Sequence, residues 1–158
     1  MEMKQMRRKD RETNREEALM ILDRASWGVL SITDNEGTPY CIPLSLVREA
    51  DWLYFHCAME GHKLEILRAR PKVCIAFVGN VEFPEDHFTV VYESAIVFGV
   101  AEEVTSDEEK LHGLRILSER FIPGNMHAFE NEAAQLLSRT AVWKIHIDEI
   151  TGKQRKQP

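Results

Sequence analysis

Cysteine is scarce in this chain and unpatterned. Cys41, Cys57 and Cys74 form no C-x-x-C pair and no even count, so nothing points to a disulfide framework, and a reducing compartment is expected. Long apolar runs are missing too. No stretch of about 18 apolar residues could span a bilayer, and the opening "MEMKQMRRKDRETNREE" lacks the apolar segment of a secretory signal. A soluble, cytoplasmic protein without a membrane partner is the expectation. Basic charge is in deficit: 20 Lys and Arg stand against 26 Asp and Glu, a net −6, which argues against general affinity for nucleic acid. What basic charge there is gathers at the ends. Neither end forms a dense Lys/Arg block or interleaves with aromatics, so residues 1–12 and 152–158 read as solvated tails. Four signatures of common chemistries are absent: G-x-G-x-x-G for dinucleotides, G-x-x-x-x-G-K-[ST] for phosphates, G-x-S-x-G for nucleophiles and H-E-x-x-H for zinc.

What is present suits one domain over residues 1–158, since 44% hydrophobic content can build a core without covalent staples. In "TNREEALMILDRASWG", Thr13 with Glu16 or Asn14 with Glu17 can cap a helix that then repeats apolar residues at helical spacing. Strand-like runs follow at 27–33, 38–47 and 51–57, rich in Val, Ile, Leu, Tyr and Trp. Their connectors are of hairpin length, so the three should pair antiparallel. "HKLEILRARP" reads as a short helix, 72–78 as a strand, and "GNVEFPEDHF" as a loop. Residues 89–104 make one bent strand, or two broken near Gly99. Ser106 with Glu109 caps a further helix, 130–138 can form another, and "TAVWKIHID" alternates as the last strand. The fold class is therefore mainly β with peripheral helices, a small antiparallel barrel rather than a doubly wound sheet.

One stretch carries chemistry. In "LYFHCAMEGHKL", alternation puts Leu53, Phe55 and Cys57 on one strand face and Tyr54 and His56 on the other. His62 and Lys63 then fall at the first positions of a helix, where unpaired N–H groups and the dipole favour an anion. The same residues also suit a plain strand-turn-helix joint. No metal site is expected, because His56, His62, His87, His112, His127 and His146 are scattered and no two share a helix face.

Taken together, "MRRKDRE", "GTPYCIPLSLV", "LYFHCAMEGHKLEIL", "YESAIVFGVAEEVTSDEEK" and "WKIHIDEITGKQRK" resemble the pyridoxamine 5'-phosphate oxidase-like flavoproteins, and within them the 5-nitroimidazole-resistance (Nim) subgroup. The similarity runs in order over nearly the whole chain. It implies a split β-barrel, a homodimer, and FMN in grooves at the subunit interface. It places Cys41, Ile42, Pro43 and Leu44 along the flavin ring, His56, Cys57 and Ala58 beside the ribityl chain, and His62 with Lys63 on the phosphate. Ser94 would add a polar contact, and Trp143 would cover the ring from the other subunit. Glu93 departs from the pattern, standing where relatives often carry a basic residue, and would oppose a phosphate if it pointed inward.

The function this resemblance implies is an FMN-dependent oxidoreductase: a reductase of small nitroaromatic-type acceptors that draws hydride from NADH or NADPH, with the hard chemistry supplied by the cofactor. His56 is the expected catalytic proton donor. Two alternatives stay open, a flavin-binding or sensing protein without turnover and a binder of another flat cofactor such as haem or a deazaflavin.

Overall fold

The computed structural model of the chain describes residues 5–86 and 88–156. After a 3₁₀ turn, Lys9–Arg11, comes the two-residue strand β1 (Glu12–Thr13) and then α1 (Arg15–Arg24). Asn14 caps α1, accepting from the Glu17 N–H at 2.9 Å while the Glu17 carboxylate accepts the Asn14 N–H at 3.1 Å, so the later of the two available caps forms. Strands β2 (Gly28–Thr33), β3 (Pro39–Leu44), β4 (Val47–Glu49) and β5 (Trp52–Ala58) follow, then α2 (His62–Ala69). The long strands β6 (Lys72–Glu82) and β7 (Val91–Glu103) precede α3 (Asp107–Phe121), a 3₁₀ segment Pro123–Ala128, α4 (Phe129–Leu136) and β8 (Thr140–Arg155).

All strand pairs are antiparallel, and the order is β3-β2-β6-β7-β8-β5-β4, with β1 added to β8. The expected class, mainly β with peripheral helices and a split antiparallel barrel, is the one found. The split has a simple origin. β3 and β4 are the two ends of the sheet, joined in sequence through Ser45 and Leu46 but not paired with each other. Residues 38–47 therefore do not form one strand as expected. The chain breaks at Ser45 because the two halves join opposite ends of the sheet, β3 on β2 and β4 on β5.

Other boundaries also move. β6 continues to Glu82 through an irregularity between Val78 and Val81, consuming the start of the expected loop. β7 is one strand whose register shifts at Phe98/Gly99, where a Cβ on Gly99 would lie 2.0 Å from the His146 carbonyl oxygen. β8 runs to Arg155 and pairs Gly152 and Lys153 with β1, so residues 152–155 and Glu12 belong to the sheet and not to tails. Residues 1–4 and 157–158 of those tails, and His87, lie outside the described residues.

The two faces of the ladder differ. Leu30, Ile75, Val97 and Ile150 stand opposite one another in successive strands and are buried in the barrel. One residue over, the row Pro43, Val29, Ala76, Ile96 faces outward and is exposed or only half-buried. The α1 residues Ala18, Ile21 and Leu22 and the α2 residues Leu64, Ile66 and Leu67 join the barrel core. Tyr54, Val104 and Val142 form a second, smaller cluster with Leu114 and Ile116 of α3.

Candidate functional site

Alternation along β5 sends Leu53 and Phe55 into the core, both fully buried, while Tyr54 and His56 face the α3 side, as the sequence pattern requires. Cys57 packs against the core and Ala58 ends the strand in the open. The chain then turns at Gly61 with φ +136°, a conformation glycine tolerates, and nothing lies within 4 Å of where a Cβ there would sit. Gly61 is also the N-cap of α2 and brings no side chain to cap it, so the first N–H groups of the helix are left for another acceptor.

Lys63 folds back over β5, its Nζ 5.8 Å from the centre of the Phe55 ring. Its charge reaches both neighbours. Partial desolvation by the walls around a ring that still reaches solvent, and then Lys63, push the His56 pKa below the ordinary imidazole value. Burial pushes the Cys57 thiol up against the opposing pull of Lys63, so Cys57 is a protonated, space-filling thiol. His62 turns the other way. Its ring meets Tyr40 edge-on at 5.0 Å, and its Nδ1 lies 3.7 Å from the Glu65 carboxylate.

Tyr40 belongs to β3, which as the end of the sheet is hydrogen-bonded, among the described residues, on one side only, to β2. Its other edge presents free backbone N–H and C=O groups, with Pro43 donating none. The four expected ring contacts divide by parity: Cys41 and Pro43 share the outward face, whereas Ile42 packs on the core and Leu44 is buried. Backbone edge and outward side chains are thus what β3 offers a flat ligand. The uncapped helix start and this open edge meet through the Tyr40–His62 contact, while the next residue, Lys63, carries its ammonium over β5; helix N–H groups and an ammonium are donors that suit a phosphate.

On the other side of His56 lies a cleft of about 430 Å³. Leu114, Leu117 and Phe121 of α3 and Phe129, Ala133 and Leu136 of α4 wall it with two facing apolar stripes, and Ser45 reaches it from the β3–β4 link. Sequence reasoning did not find this cleft. The stripes read only as ordinary helix spacing, and their failure to close on each other is invisible in one dimension.

The sequence model of the pyridoxamine 5'-phosphate oxidase family matches residues 14–154. The chain belongs to the pyridoxamine 5'-phosphate oxidase-like family. Among solved structures, a proposed 5-nitroimidazole antibiotic resistance protein from Bacteroides thetaiotaomicron is 30% identical, with 89% of this chain and 83% of that one covered and a TM-score of 0.77. The flavocytochrome Anf3 from Azotobacter vinelandii is 24% identical, with coverage of 98% and 73% and a TM-score of 0.81. The FAD and heme binding protein from Mycobacterium smegmatis is 22% identical, with coverage of 93% and 74% and a TM-score of 0.79. The last two establish the shared fold. No curated protein matches the chain.

Within this family framework, one expected contact needs correction. Trp143 cannot cover a ring in a second subunit: it is 2% exposed, lies opposite Phe55 in the barrel core, and its indole Nε1 has no hydrogen-bond partner among the described residues. Ser94 is not gathered with His62 and Lys63 in one chain. It pairs with Lys153 of β8, whereas Ala58 pairs with Thr140 at that strand's other end. Glu93, the departure from the family pattern, points into the structure and is held there. Arg24 donates to it at 2.9 and 3.4 Å, the Asn80 N–H at 3.2 Å and the Gln154 amide at 3.4 Å, so its charge is answered within the chain.

Among the described residues no group of three or more His, Cys, Asp or Glu is placed to hold a metal ion, and no helix is long and apolar enough to cross a membrane.

Proposed function

We propose that the chain binds FMN at the corner of β3 and α2 and passes electrons from a nicotinamide donor to a small nitroaromatic-type acceptor, as a homodimer. The observation that carries the reading is Lys63: it stands at an uncapped helix start beside His56, and the residue before it, His62, meets Tyr40 of the open edge strand. When bound, the flavin supplies the two-electron chemistry. The protein's share is to fix and shield it. Lys63 and the first N–H groups of α2 hold the phosphate, with His62 beside them, and the free edge of Cys41, Ile42, Pro43 and Leu44 orients the ring. Cys57 and Ala58 border the chain between. His56 presents its imidazole toward the acceptor, and its protonated form, replenished from solvent, gives the proton that reduction consumes.

A second subunit enters on physical grounds. The outward row of Val29, Ala76 and Ile96, with Val78 58% exposed, is an apolar sheet face that water disfavours, and a single barrel gives a flavin one wall. Pairing two such faces covers both and brings Ser94 of one chain toward the site of the other. The nitroaromatic acceptor is supported by the 30% identity to the Bacteroides protein.

An anaerobic titration tests the reading. Purified protein should show a flavin spectrum, bleach with NADH or NADPH, and recover colour on addition of a nitroarene. A flavin spectrum that neither nucleotide bleaches would favour the non-catalytic flavin binder, and a haem spectrum would overturn the proposal.

A further inference from the structure

We infer that the groove between the N-terminal segment and the end of β8 binds a 2'-phosphorylated adenine nucleotide, and that the nicotinamide donor is therefore NADPH. The second half rests on the flavin reading above; the first does not. The groove has a volume of about 500 Å³ and a mostly charged lining. Its carboxylates are already engaged. Arg8 donates to both oxygens of Asp10, Lys9 pairs with Glu12 at 2.7 Å, and Glu17 accepts the Asn14 N–H in the cap of α1. Its cations are not. Lys153, Arg155 and Lys156 form no ion pair among the described residues, and Arg11 is 3.9 Å from an Asp10 that Arg8 already holds.

These cations are also drawn together. Arg11 donates to the Tyr92 hydroxyl at 3.3 Å, the Lys153 ammonium lies 5.8 Å from the centre of the same ring, and Arg155 stands opposite Tyr92 in the β7–β8 pairing. Slight desolvation pushes the Tyr92 phenol up, but the hydrogen bonds and charges of Arg11 and Lys153 outweigh it and hold the group below its ordinary value. A chain of net charge −6 thus gathers unanswered positive charge around one phenol at the place where its two ends meet. Like charges repel, and a multivalent anion is what relieves them. Arginine forks and lysine ammonium groups are donors suited to phosphate oxygens.

The number of free cations selects the anion. The diphosphate bridge common to both nicotinamide donors leaves part of the set unanswered, and a 2'-phosphate adds about 1.5–2 negative charges. The chain has no G-x-G-x-x-G turn to cradle a dinucleotide on backbone N–H groups, so side chains must hold the phosphates. Lys153 pairs with Ser94, and the subunit pairing that carries Ser94 to the partner's flavin carries this groove with it.

The probes are adenosine 2',5'-bisphosphate and 5'-AMP, which differ only in the 2'-phosphate, titrated by calorimetry into full-length protein. The bisphosphate should bind tighter by roughly tenfold or more, and the preference should shrink as salt is raised. Arg155→Gln combined with Lys156→Gln should bring the two probes to within about twofold of each other. If this variant does not fold, Lys156→Gln alone, exposed and beyond the last residue of β8, should still narrow the gap. Phenolate absorbance reports the site directly: bound bisphosphate should raise the Tyr92 pKa by drawing on Arg11 and Lys153, and Tyr92→Phe should remove that change. Lys63→Ala should leave the preference intact, which separates the groove from the flavin corner. Equal affinity for the two probes, or an undiminished preference in the folded variants, overturns the inference. Probe preference in protein that holds no flavin upholds the groove and overturns only the reductase. A flavoprotein that NADH bleaches as readily as NADPH overturns the choice of donor and leaves the reductase standing.

Discussion

His62 stands edge-on to Tyr40 with ring centres 5.0 Å apart, tying the first turn of α2 to the free edge strand β3. Two segments separated in sequence thereby present one surface. The helix start supplies anion donors and the strand supplies backbone groups, and neither segment alone has both.

Loss of Lys63 should discriminate between phosphorylated and unphosphorylated flavin. Lys63→Ala should weaken FMN by about 1.5–3 kcal/mol, the scale of a charge-assisted hydrogen bond, and leave riboflavin nearly unaffected. Fluorescence titration of both ligands measures the difference. Equal losses would assign Lys63 to the fold and not to the phosphate.

His56 should titrate low. In NMR its pKa should lie below the ordinary 6.5, and Lys63→Ala should raise it only part of the way, because partial desolvation is the larger cause. The unfolded chain then takes up this proton first as pH falls, so the contribution to stability is complete above about pH 6.5 and is lost as pH drops through the folded value. His56→Gln should remove that part of the acid sensitivity. It should also slow the acceptor half-reaction of pre-reduced, flavin-loaded protein by roughly 10²-fold, the scale of one general acid, in stopped flow. A loaded variant with wild-type rate would leave His56 a binding role alone.

Charge placed on the outward sheet face should separate subunits. Ala76→Glu, or Ile96→Glu, puts a carboxylate in the middle of the apolar row without touching the buried parity of either strand. Sedimentation should report the 18.3 kDa monomer, and flavin content should fall with it. A wild-type protein that sediments as a monomer with flavin tightly bound would refute the dimer.

Gly99→Ala should destabilise the barrel. Its methyl group would land on the His146 carbonyl oxygen at the β7–β8 irregularity, and relief requires backbone movement in two long strands. Overpacking of this kind costs about 1–3 kcal/mol, readable as a lower denaturation midpoint.

Local signals were legible in the sequence. The caps at Asn14 and Ser106, the alternation that separates Phe55 from His56, and the glycine turn before His62 each act over a few residues and came out as the pattern implied. Long-range partnerships were not. Nothing in "PYCIPLSLV" says that its halves join opposite ends of a sheet, because strand propensity does not specify a partner. Trp143 shows the same limit: a Trp in an alternating strand can face a core or a neighbour, and only the pairing with Phe55 and its burial decide. Glu93 looked like an intruder in an anion site until Arg24, 69 residues earlier, was seen to hold it.

The position of β8 has a consequence for how the chain is made. This strand is central to the sheet and pairs with β5, β7 and β1, yet it follows all three in the sequence. During synthesis β2, β3, β6 and β7 can assemble as they emerge, but the β4–β5 ribbon has no sheet to join until β8 has left the ribosome. For that interval the edges of β7 and β5 are open templates for other strands. Premature termination anywhere before Thr140 would leave them open permanently, so nascent fragments of this protein are aggregation-prone in a way that its finished barrel is not.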